Sequence, residues 1–408
     1  MNIEVICTGT ELLKGTTVNS NAALLGRLLG EAGKIVRRIQ TVGDRRNDLI
    51  EALGQAAREA DWILVSGGLG STGDDLTRDV CAEFFGLALI RDEERAKTLL
   101  RYFRSRHGAG PVPRALFRQA DLIGGGEFLE NANGSAPGIL FAARYGGREL
   151  KVALLPGPPA EFESVLTAEL LPRMLSDRRT EQLTRGFLVA GGGELEVERM
   201  LNEKLDPDGI ELAYCAGPEG TRVFISAADQ AVLDRAIRDG RSLFGSDALE
   251  VGRYHLGPEI VRLLSARGER LALAESCTGG LVAGAVTAVP GSSQAFAGAI
   301  VAYENAAKIN LLNVNPEILE TYGAVSRECA EAMARGAAEA FDTEIAGAVT
   351  GIAGPTGSTE TKPVGLVHLA IRFHGQTHHR ECRFRGNREA VREKTRATFF
   401  LMLYRLLI

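Results

Sequence analysis

From Ile3 to about Leu166, apolar runs of strand length alternate with stretches of helical spacing. The runs that predict strands are Ile3–Cys7, Ile35–Val42, Trp62–Val65 and Val152–Leu155. Helical spacing covers Asn19–Leu29, Leu49–Ala60 and Leu76–Phe85. This alternation predicts an α/β domain with a doubly wound sheet. Each predicted strand runs into glycine and polar residues, so the strand-end loops are expected to line a ligand crevice.

The pattern changes after Pro172. The charged segment Ser176–Thr184 predicts a linker, and Gly186–Phe244 mixes short strands with two helical segments, which predicts a small α+β domain. A third domain begins near helix Pro258–Arg267 and ends in the amphipathic segment Glu389–Leu407, whose apolar side predicts core packing. The predicted domains are 1–170, 171–250 and 251–408.

The composition is that of an ordinary globular protein and argues against several functional classes. Of 408 residues, 45% are hydrophobic and 24% are charged, and no apolar run reaches the length of a membrane span. The start Met1–Glu4 lacks a basic, apolar leader, so a cytoplasmic protein is expected. The net charge of -5 gives no general attraction to nucleic acid. Six separated cysteines predict reduced thiols, and the six histidines show no spacing typical of a metal site.

Hydroxyl side chains, a lysine and two glycines gather in one short segment of the last third. Ser276, Ser293 and Lys308 lie within a predicted strand–helix–strand unit. A serine beside a partly desolvated lysine is able to attack an amide without help from histidine. Gly279 and Gly280 are expected to leave backbone N–H groups accessible at the start of the following helix, where a phosphate or an oxyanion is favoured. The segment therefore predicts an amidase site.

The simpler interpretation is that Ser276 and Thr278 only cap that helix, because serine and threonine are ordinary N-cap residues. A second loop, Thr350–Pro355, follows the apolar strand Glu344–Val349 and favours a functional site. In a doubly wound sheet, loops at the carboxyl ends of the strands converge on one crevice. Ser276, Thr350 and the loop before Lys308 are therefore expected to meet.

Another candidate site lies in Ser66–Asp75, which joins a predicted strand to a helix and combines glycines with two carboxylates. Backbone amides of such a loop hold phosphate oxygens, and Asp74 or Asp75 can hold a hard cation that bridges them. That combination is typical of metal-assisted pyrophosphate hydrolysis. The alternative is that Asp74 caps the helix and Asp75 favours its dipole. Glu11 and Asp44, at other strand ends, favour a carboxylate cluster.

Seven motifs in order make the last third similar to the CinA family, the competence/damage-inducible protein A family. They are AESCTGG, PGSS, AK before an apolar helix, GAVS at Gly323–Ser326, TGIAGP, KPVG at Lys362–Gly365 and F-x-G-x-R-x-x-V-R at Phe384–Arg392. The resemblance implies a nicotinamide-nucleotide amidase without a cofactor, in which Ser293 and Lys308 form the catalytic pair. Ser276 would relay the proton or orient Lys308, and the roles of the two serines stay exchangeable. The residues implied to bind the nucleotide are Tyr303, Thr350, Gly351, Gly279, Gly280, Ser292 and, as a phosphate ligand, Arg388.

The first 170 residues resemble the molybdopterin-binding fold, which proteins of molybdenum-cofactor synthesis share with the first CinA domain. The match lies in GTELLKG at Gly9–Gly15, SGGLGSTGDD, the loop Asn133–Gly138 and LPGPPAEF at Leu155–Phe162. In CinA members this domain is associated with metal-dependent ADP-ribose pyrophosphatase activity. The implied substrate-binding residues are Gly67, Gly68, Gly70 and Thr72, and the implied metal ligands are Asp74, Asp75, Glu11 and Asp44. The family also implies a small connector that resembles a KH fold.

The expectation is a cytoplasmic, homodimeric enzyme of three domains that recycles pyridine nucleotides. The last domain would convert nicotinamide mononucleotide and water to nicotinate mononucleotide and ammonia. The first domain would split ADP-ribose into AMP and ribose 5-phosphate with a divalent cation. Direct binding to nucleic acid or to a membrane is not expected. Two alternatives stay open: a competence or DNA-repair recruitment protein without catalysis, and a molybdopterin-related enzyme.

Overall fold

A six-stranded mixed sheet organises the first part of the computed structural model, which describes residues 1–108, 110–175, 183–249 and 255–408. The strands of this part are β1 (Ile3–Thr8), β2 (Val36–Val42), β3 (Trp62–Ser66), β4 (Leu89–Arg91), β5 (Asp121–Ile123), β6 (Glu127–Leu129), β7 (Gly138–Tyr145) and β8 (Arg148–Leu155). Their order in the sheet is β2-β1-β3-β8-β7-β6, and β4 pairs with β5 separately. The first four strands run parallel, whereas β7 and β6 add an antiparallel edge.

Helices cover both faces of this sheet. They are α1 (Thr10–Leu13), α2 (Ser20–Glu31), α3 (Arg46–Ala57), α4 (Thr77–Phe84), α5 (Glu93–His107), α6 (Pro159–Val165) and α7 (Leu171–Leu175), with a 3-10 turn at Arg114–Ala120 and a π turn at Leu166–Leu170. Side chains alternate along β1: Val5 packs with α2, and Ile6 packs with α3 in a second core. The side chain of Asn19 accepts a bond from Ala22 N at 3.0 Å and so caps α2.

The next sheet has four strands in the order β10-β11-β9-β12. Its strands are β9 (Leu183–Ala190), β10 (Ile210–Gly217), β11 (Gly220–Ala227) and β12 (Ala248–Leu249), and its helices are α8 (Glu194–Lys204) and α9 (Gln230–Ser242), with a 3-10 turn at Gly245–Asp247. Residues alternate between buried and half-buried along β11, as expected for a sheet with one covered face. This part is the small α+β element that the sequence predicts.

The last part contains a five-stranded sheet in the order β14-β13-β15-β16-β17. Its strands are β13 (Leu271–Glu275), β14 (Phe296–Val301), β15 (Ile345–Gly351), β16 (Leu366–Phe373) and β17 (Gln376–Arg383). Its helices are α10 (Leu256–Arg267), α11 (Leu281–Thr287), α12 (Asn305–Leu312), α13 (Pro316–Thr321), α14 (Arg327–Phe341) and α15 (Arg388–Leu407), with a 3-10 turn at Ser292–Gln294. The first three strands are parallel and the last two are antiparallel. Phe399, Phe400 and Leu403 of α15 are buried in the core, as predicted.

The described residues fall into two units, Met1–Thr184 with Ser226–Leu233, and Arg185–Ile225 with Asp234–Ile408. The predicted division into three domains stays a prediction. Helical structure continues across its first boundary, 170/171, to Leu175, and the second boundary, 250/251, lies outside the described residues. The greater part of the predicted linker Ser176–Thr184 lies outside them as well.

A buried ion pair lies within the second unit. Glu219, in the turn before β11, is only 4% exposed. One of its carboxylate oxygens accepts a bond from the backbone N–H of Leu256 at 2.7 Å, and the other pairs with Arg396 of α15. The strands around Glu219 are therefore joined to the first and last helices of the five-stranded part.

Candidate active sites

Lys308 lies in α12 and is 1% exposed. Its Nζ atom lies 2.8 Å from Ala302 O, 3.1 Å from Tyr303 O and 3.2 Å from Ser276 Oγ. Burial lowers the pKa of this amine from its ordinary value, while the Cys329 and Cys277 thiols act weakly in the opposite sense. A neutral amine has two N–H bonds, which the two carbonyl oxygens accept, and one lone pair. A protonated Lys308 donates a third bond to Ser276 Oγ, whereas a neutral Lys308 accepts the Ser276 hydroxyl proton through this lone pair.

Ser276 reaches Lys308 because of the order of the parallel strands. It follows the last residue of β13, which lies between β14 and β15, and its backbone N–H donates to Val349 O at 3.0 Å. The loop after β14 supplies the carbonyls of Ala302 and Tyr303. Loops at the carboxyl ends of adjacent parallel strands thus meet at Lys308, as the topology predicts.

The carboxylate of Glu275 binds backbone N–H groups at the start of α11, a region that the sequence analysis expected to be open to substrate. Its carboxylate is fully buried and accepts bonds from the backbone N–H groups of Gly280 at 2.9 Å, Val282 at 3.2 Å and Ala283 at 2.7 Å. The N–H of Gly279 donates to Ser276 O. The prediction that Gly279 and Gly280 offer free N–H groups to a phosphate or oxyanion is therefore wrong, because an internal carboxylate already satisfies the start of α11. Their contact with substrate through other atoms stays a prediction.

Ser293 is not among the hydrogen-bond partners of Lys308 in the described residues. It is exposed in the 3-10 turn Ser292–Gln294, which follows Gly291 with φ of 82°. Within the described part of the chain, Lys308 bonds to Ser276 and not to Ser293. The nucleophilic role of Ser293 stays a prediction, and so does the neighbouring role of Ser292.

Arg388, the first residue of α15, joins two predicted substrate-binding elements. One guanidinium nitrogen donates to Gly354 O at 2.8 Å and another to the hydroxyl of Tyr303 at 2.9 Å. Thr350 is buried and donates to Ala324 O at 2.7 Å, so its hydroxyl fixes a neighbouring loop. Gly351 lies against Val367, where a side chain has no room. Tyr303, with 58% of its surface exposed, and Arg388 therefore form the accessible rim near Lys308.

The glycine loop after β3 is tightly packed. Gly67 and Gly68 have φ of 106° and 68°, and a Cβ at these positions would collide with Thr8 and Thr77. The backbone N–H of Thr72 donates to the carboxylate of Asp75 at 2.8 Å, which closes the loop over Gly70. The loop is thus held at the carboxyl ends of β1 and β3.

The four predicted metal ligands do not form one set. Asp44 and Asp74 line the same narrow cleft, whereas Glu11 lines a separate cavity. Asp44 accepts a bond from Thr10 N at 2.7 Å, and the Asp75 carboxylate is engaged by Thr72. In the ranges that the structure describes, no group of three or more histidine, cysteine, aspartate or glutamate side chains is arranged to hold a metal ion. Asp44 and Asp75 thus bind backbone N–H groups, and the four carboxylates do not converge on one point.

Asp74 is fully exposed, and its pKa is lowered by hydrogen bonds from the side chain of Thr72 and from its own backbone. It does not cap α4, which begins at Thr77 after Leu76 and has no side-chain cap. A hard cation often keeps only one or two protein carboxylates and takes its other ligands from substrate phosphates and water. Asp44 and Asp74 fit that mode of binding.

Comparison with known proteins gives two family models and full-length relatives. The model described as "CinA C-terminal domain" matches residues 254–407, and the model described as "Probable molybdopterin binding domain" matches residues 4–176. A competence-damage inducible protein of Moorella thermoacetica is 42% identical over 100% of this chain and 99% of its own length. The chain belongs to the CinA family. A CinA-like protein of Akkermansia muciniphila is 40% identical over 92% of this chain and 90% of its own.

Solved structures of CinA proteins match parts of the chain. A competence/damage inducible protein of Agrobacterium tumefaciens is 44% identical over 37% of this chain and 93% of its own, with a TM-score of 0.36. A CinA protein of Thermoplasma acidophilum is 34% identical over 43% of this chain and 97% of its own, with a TM-score of 0.37. Among the described helices of this CinA chain, none has the length and apolar character that a membrane crossing needs.

Sequence reasoning about this CinA chain missed three features near Lys308. They are the capping role of Glu275, the carbonyl pair of Ala302 and Tyr303, and the bond from Arg392 to Thr278 O at 2.7 Å. The i,i+4 spacing of Arg388 and Arg392 was a usable signal, because it places both guanidinium groups on one face of α15.

His368 and His379 also escaped the sequence analysis, which found no ligand spacing. The two imidazoles lie across β16 and β17 with Nδ1 of His368 3.0 Å from Nε2 of His379. The pKa of each is lowered, mainly by burial. Neither the register of the two strands nor the pair follows from the spacing of the residues along the chain.

Proposed function

We propose that the last part of this CinA chain hydrolyses nicotinamide mononucleotide to nicotinate mononucleotide and ammonia. The observation that carries the proposal is the buried amine of Lys308, whose two N–H groups have carbonyl acceptors and whose third neighbour is the Ser276 hydroxyl. A neutral amine in this position is a base for a hydroxyl nucleophile. Membership in the CinA family supports the same substrate class.

The proposed reaction has two stages. Ser293 attacks the carboxamide carbon, and its proton passes through the Ser276 hydroxyl to Nζ of Lys308. The protonated amine then returns a proton to the leaving nitrogen, ammonia departs and an acyl-enzyme remains. Water attacks the acyl carbon, gives its proton to the same base, and the acid is released as the serine recovers its proton.

The alternative order has Ser276 as the nucleophile and Ser293 as a substrate-binding hydroxyl. The contact of Ser276 with Lys308 supports this order, whereas the resemblance supports Ser293. Mass spectrometry of the enzyme quenched during turnover locates the acyl group. Acylated Ser293 in wild type, with slow acylation in S276A, supports the relay; acylated Ser276 reverses the roles.

The rim formed by Tyr303 and Arg388 is proposed to bind the nucleotide. The Arg388 guanidinium is oriented by Gly354 O and Tyr303, and a phosphate dianion would be its natural partner. The aromatic ring of Tyr303 offers an apolar surface for the pyridine ring. Thr350, Gly351, Ser292 and the glycines before α11 are proposed to shape the rest of this pocket.

We propose, second, that the first part hydrolyses ADP-ribose to AMP and ribose 5-phosphate. The observation that favours it is the narrow cleft that Asp44 and Asp74 line together with Thr8 and Thr77, the two residues against which Gly67 and Gly68 pack. Gly67, Gly68, Gly70 and Thr72 would hold the phosphates. A divalent cation shared between the two carboxylates and the substrate would neutralise phosphate charge and favour attack by water.

Turnover by the purified protein tests both activities against the alternatives. Ammonia from nicotinamide mononucleotide and AMP from ADP-ribose, measured separately, are the expected products. A recruitment protein would give neither, and a molybdopterin-related enzyme would give neither while binding a pterin. Light scattering of the same sample tests the proposed homodimer.

A further inference from the structure

The loop between β13 and α11 is closed on itself by the residue that precedes it. Glu275 ends β13, and its carboxylate binds the start of α11 on the far side of the loop 276–279. Its Oε2 accepts from the N–H groups of Gly280 and Val282, and its Oε1 accepts from the N–H of Ala283. One residue therefore fixes both ends of the loop, the first through its place in the sheet and the last through its side chain.

Ser276, the first residue of this loop, is held by its backbone. Its N–H donates to Val349 O at 3.0 Å, and its carbonyl oxygen accepts from the N–H of Gly279 at 3.1 Å. Its hydroxyl oxygen then lies 3.2 Å from Nζ of Lys308. The contact between hydroxyl and amine thus depends on the shape of a loop that the Glu275 carboxylate closes.

The main chain of Glu275 serves the other side of this contact. The N–H of Ala302 donates to Glu275 O at 2.8 Å, and Ala302 O in turn accepts from Nζ of Lys308 at 2.8 Å. The backbone of Glu275 is therefore linked to the loop before Lys308, whereas its side chain is linked to the loop of Ser276. A substitution that alters only the side chain leaves the first link in place.

The Glu275 carboxylate acts on neighbouring backbone and not on the reacting groups. It is fully buried, and its three bonds come from backbone N–H groups that a helix start leaves without partners. In the part of the chain that the structure describes, Lys308 bonds to Ser276 and to two carbonyl oxygens, not to Glu275. Any effect of this carboxylate on catalysis must therefore pass through the loop.

We propose that Glu275 is a positioning residue of the amidase site, whose side chain holds the hydroxyl of Ser276 at Nζ of Lys308. The inference rests on the proposed hydrolysis of nicotinamide mononucleotide, and it applies whether Ser276 relays a proton or attacks the amide. A proton passes between hydroxyl and amine at hydrogen-bonding distance. A displacement of about 1 Å in such a geometry lowers a rate about 10²-fold. The side chain of Glu275 therefore governs the chemical step and not the binding of the nucleotide.

Steady-state kinetics of E275Q in the full chain test this. Glutamine keeps the size of the side chain, but its NH2 group is a donor placed against N–H groups that need an acceptor. The kcat for ammonia release from nicotinamide mononucleotide is expected to fall about 10- to 100-fold, whereas KM should change less than about twofold. E317Q alters an exposed carboxylate in the first turn of α13 and is the matched control, with kinetics like those of wild type.

The double variant E275Q/S276A separates positioning from a general loss of structure. If Glu275 acts through Ser276, E275Q should lower kcat by less than about twofold once residue 276 is alanine, because coupled residues are not additive. Losses that multiply would overturn the inference, and so would a rise in KM at unchanged kcat. If S276A has no measurable turnover, the division of the E275Q effect between kcat and KM decides alone.

Thermal melting of each variant gives the folded fraction by which kcat is corrected. A loss of kcat that disappears after this correction makes Glu275 structural only and overturns the inference. Should E275Q not fold, E275D keeps a carboxylate on a shorter side chain and carries the same expectation. Wild-type kinetics in a folded E275Q protein overturn this inference while the proposed amidase stands. Wild-type protein that releases no ammonia from nicotinamide mononucleotide overturns both.

Discussion

The two candidate sites of this CinA chain differ in how completely the protein builds them. At Lys308, the amine, the carbonyl groups of Ala302 and Tyr303 and the hydroxyl of Ser276 are already in hydrogen-bonding contact, and Lys308, Ala302 and Ser276 are buried. At the ends of β2 and β3, Asp74 is fully exposed, Asp44 accepts a bond from the backbone N–H of Thr10 after β1, and Asp75 accepts one from Thr72 of its own loop. The first site holds its amine and hydroxyl in contact, whereas at the second the described residues do not supply a complete set of metal ligands.

The difference fits the charges that each proposed reaction has to handle. A lysine must lose its proton to act as a base, and removal from water is the main cause that lowers the pKa of Lys308. Carboxylates that hold a cation must stay ionised and reachable, so they belong at the surface. Burial thus favours a neutral lysine at one site, whereas it would hinder cation binding by the carboxylates at the other.

The largest expected effect is that of K308M on ammonia release. Methionine fills the same buried space but has neither lone pair nor N–H groups, so the rate should fall by at least the ~10²–10⁴-fold typical of a lost general base. Steady-state ammonia release measures it, with circular dichroism to confirm folding. K204M, at an exposed lysine of α8, should keep wild-type rates. A folded K308M protein with near-normal turnover would remove the base from the mechanism.

The second prediction separates the two sites by their need for a cation. A chelator, or the double variant D74N/D75N, should stop ADP-ribose hydrolysis because the phosphates lose their neutralising charge. Ammonia release should continue, since the groups around Lys308 need no metal. D206N/D208N, a matched exposed pair, should leave both activities intact. Loss of ammonia release on chelation would contradict the metal-free amidase.

The third prediction concerns the accessible rim near Lys308. R388A should raise KM for nicotinamide mononucleotide about 10- to 100-fold, the effect of one or two charge-assisted hydrogen bonds, and should change KM for the phosphate-free riboside much less. Initial-rate kinetics with both substrates measure the contrast. R405A, on an exposed position of the same helix, is the control. Equal effects on both substrates would make Arg388 structural and turn attention to Arg385 and Arg392.

The smallest effect should be on stability, through His368 and His379. Burial lowers both pKa values below the ordinary 6.5, so the unfolded chain binds protons more readily than the folded one. The contribution of the two neutral imidazoles to the free energy of unfolding is complete above pH 6.5 and is lost progressively as the pH falls below it. Urea denaturation at pH 7.5 and 5.5 measures this loss, which H379Q should reduce. H378Q, on the opposite face of β17, should behave like wild type; an H379Q profile as steep as wild type would contradict the assignment.

The sequence was sufficient to predict the strand-loop-helix units and the meeting of the segments around Ser276, Thr350 and the loop before Lys308. Both depend on patterns of apolar residues and on the convergence of parallel strand ends. The carbonyls of Ala302 and Tyr303 were beyond reach, because every residue has a carbonyl and only the fold decides its direction. The capping role of Glu275 was not predicted, because the sequence pattern assigns this residue only to the end of a strand.

Asn21 illustrates the same limit in the first part. It lies in the first turn of α2, and a sequence pattern treats it as part of a helix start. Its partners, Ser66 and Gly157, are 45 and 136 residues away along the chain. Long-range hydrogen bonds of single polar side chains produce no periodic pattern in the sequence, so residue spacing does not predict them.

The Glu219–Arg396 pair has a consequence for how the chain can be divided. A shortened protein that begins near Gly252 retains every predicted residue of the amidase site but loses Glu219, so a cationic side chain that is 14% exposed here loses its main partner and Leu256 loses its acceptor. Arg396 keeps its bond to Glu393 at 2.9 Å, so the loss should cost less than the about 3–5 kcal/mol expected for a buried charge left without any partner. The α+β part and the five-stranded part should therefore melt in a single cooperative transition. An R396M substitution should restore part of the thermal stability of the shortened chain. The charge of one buried side chain would then decide how stable the five-stranded part is without the α+β part.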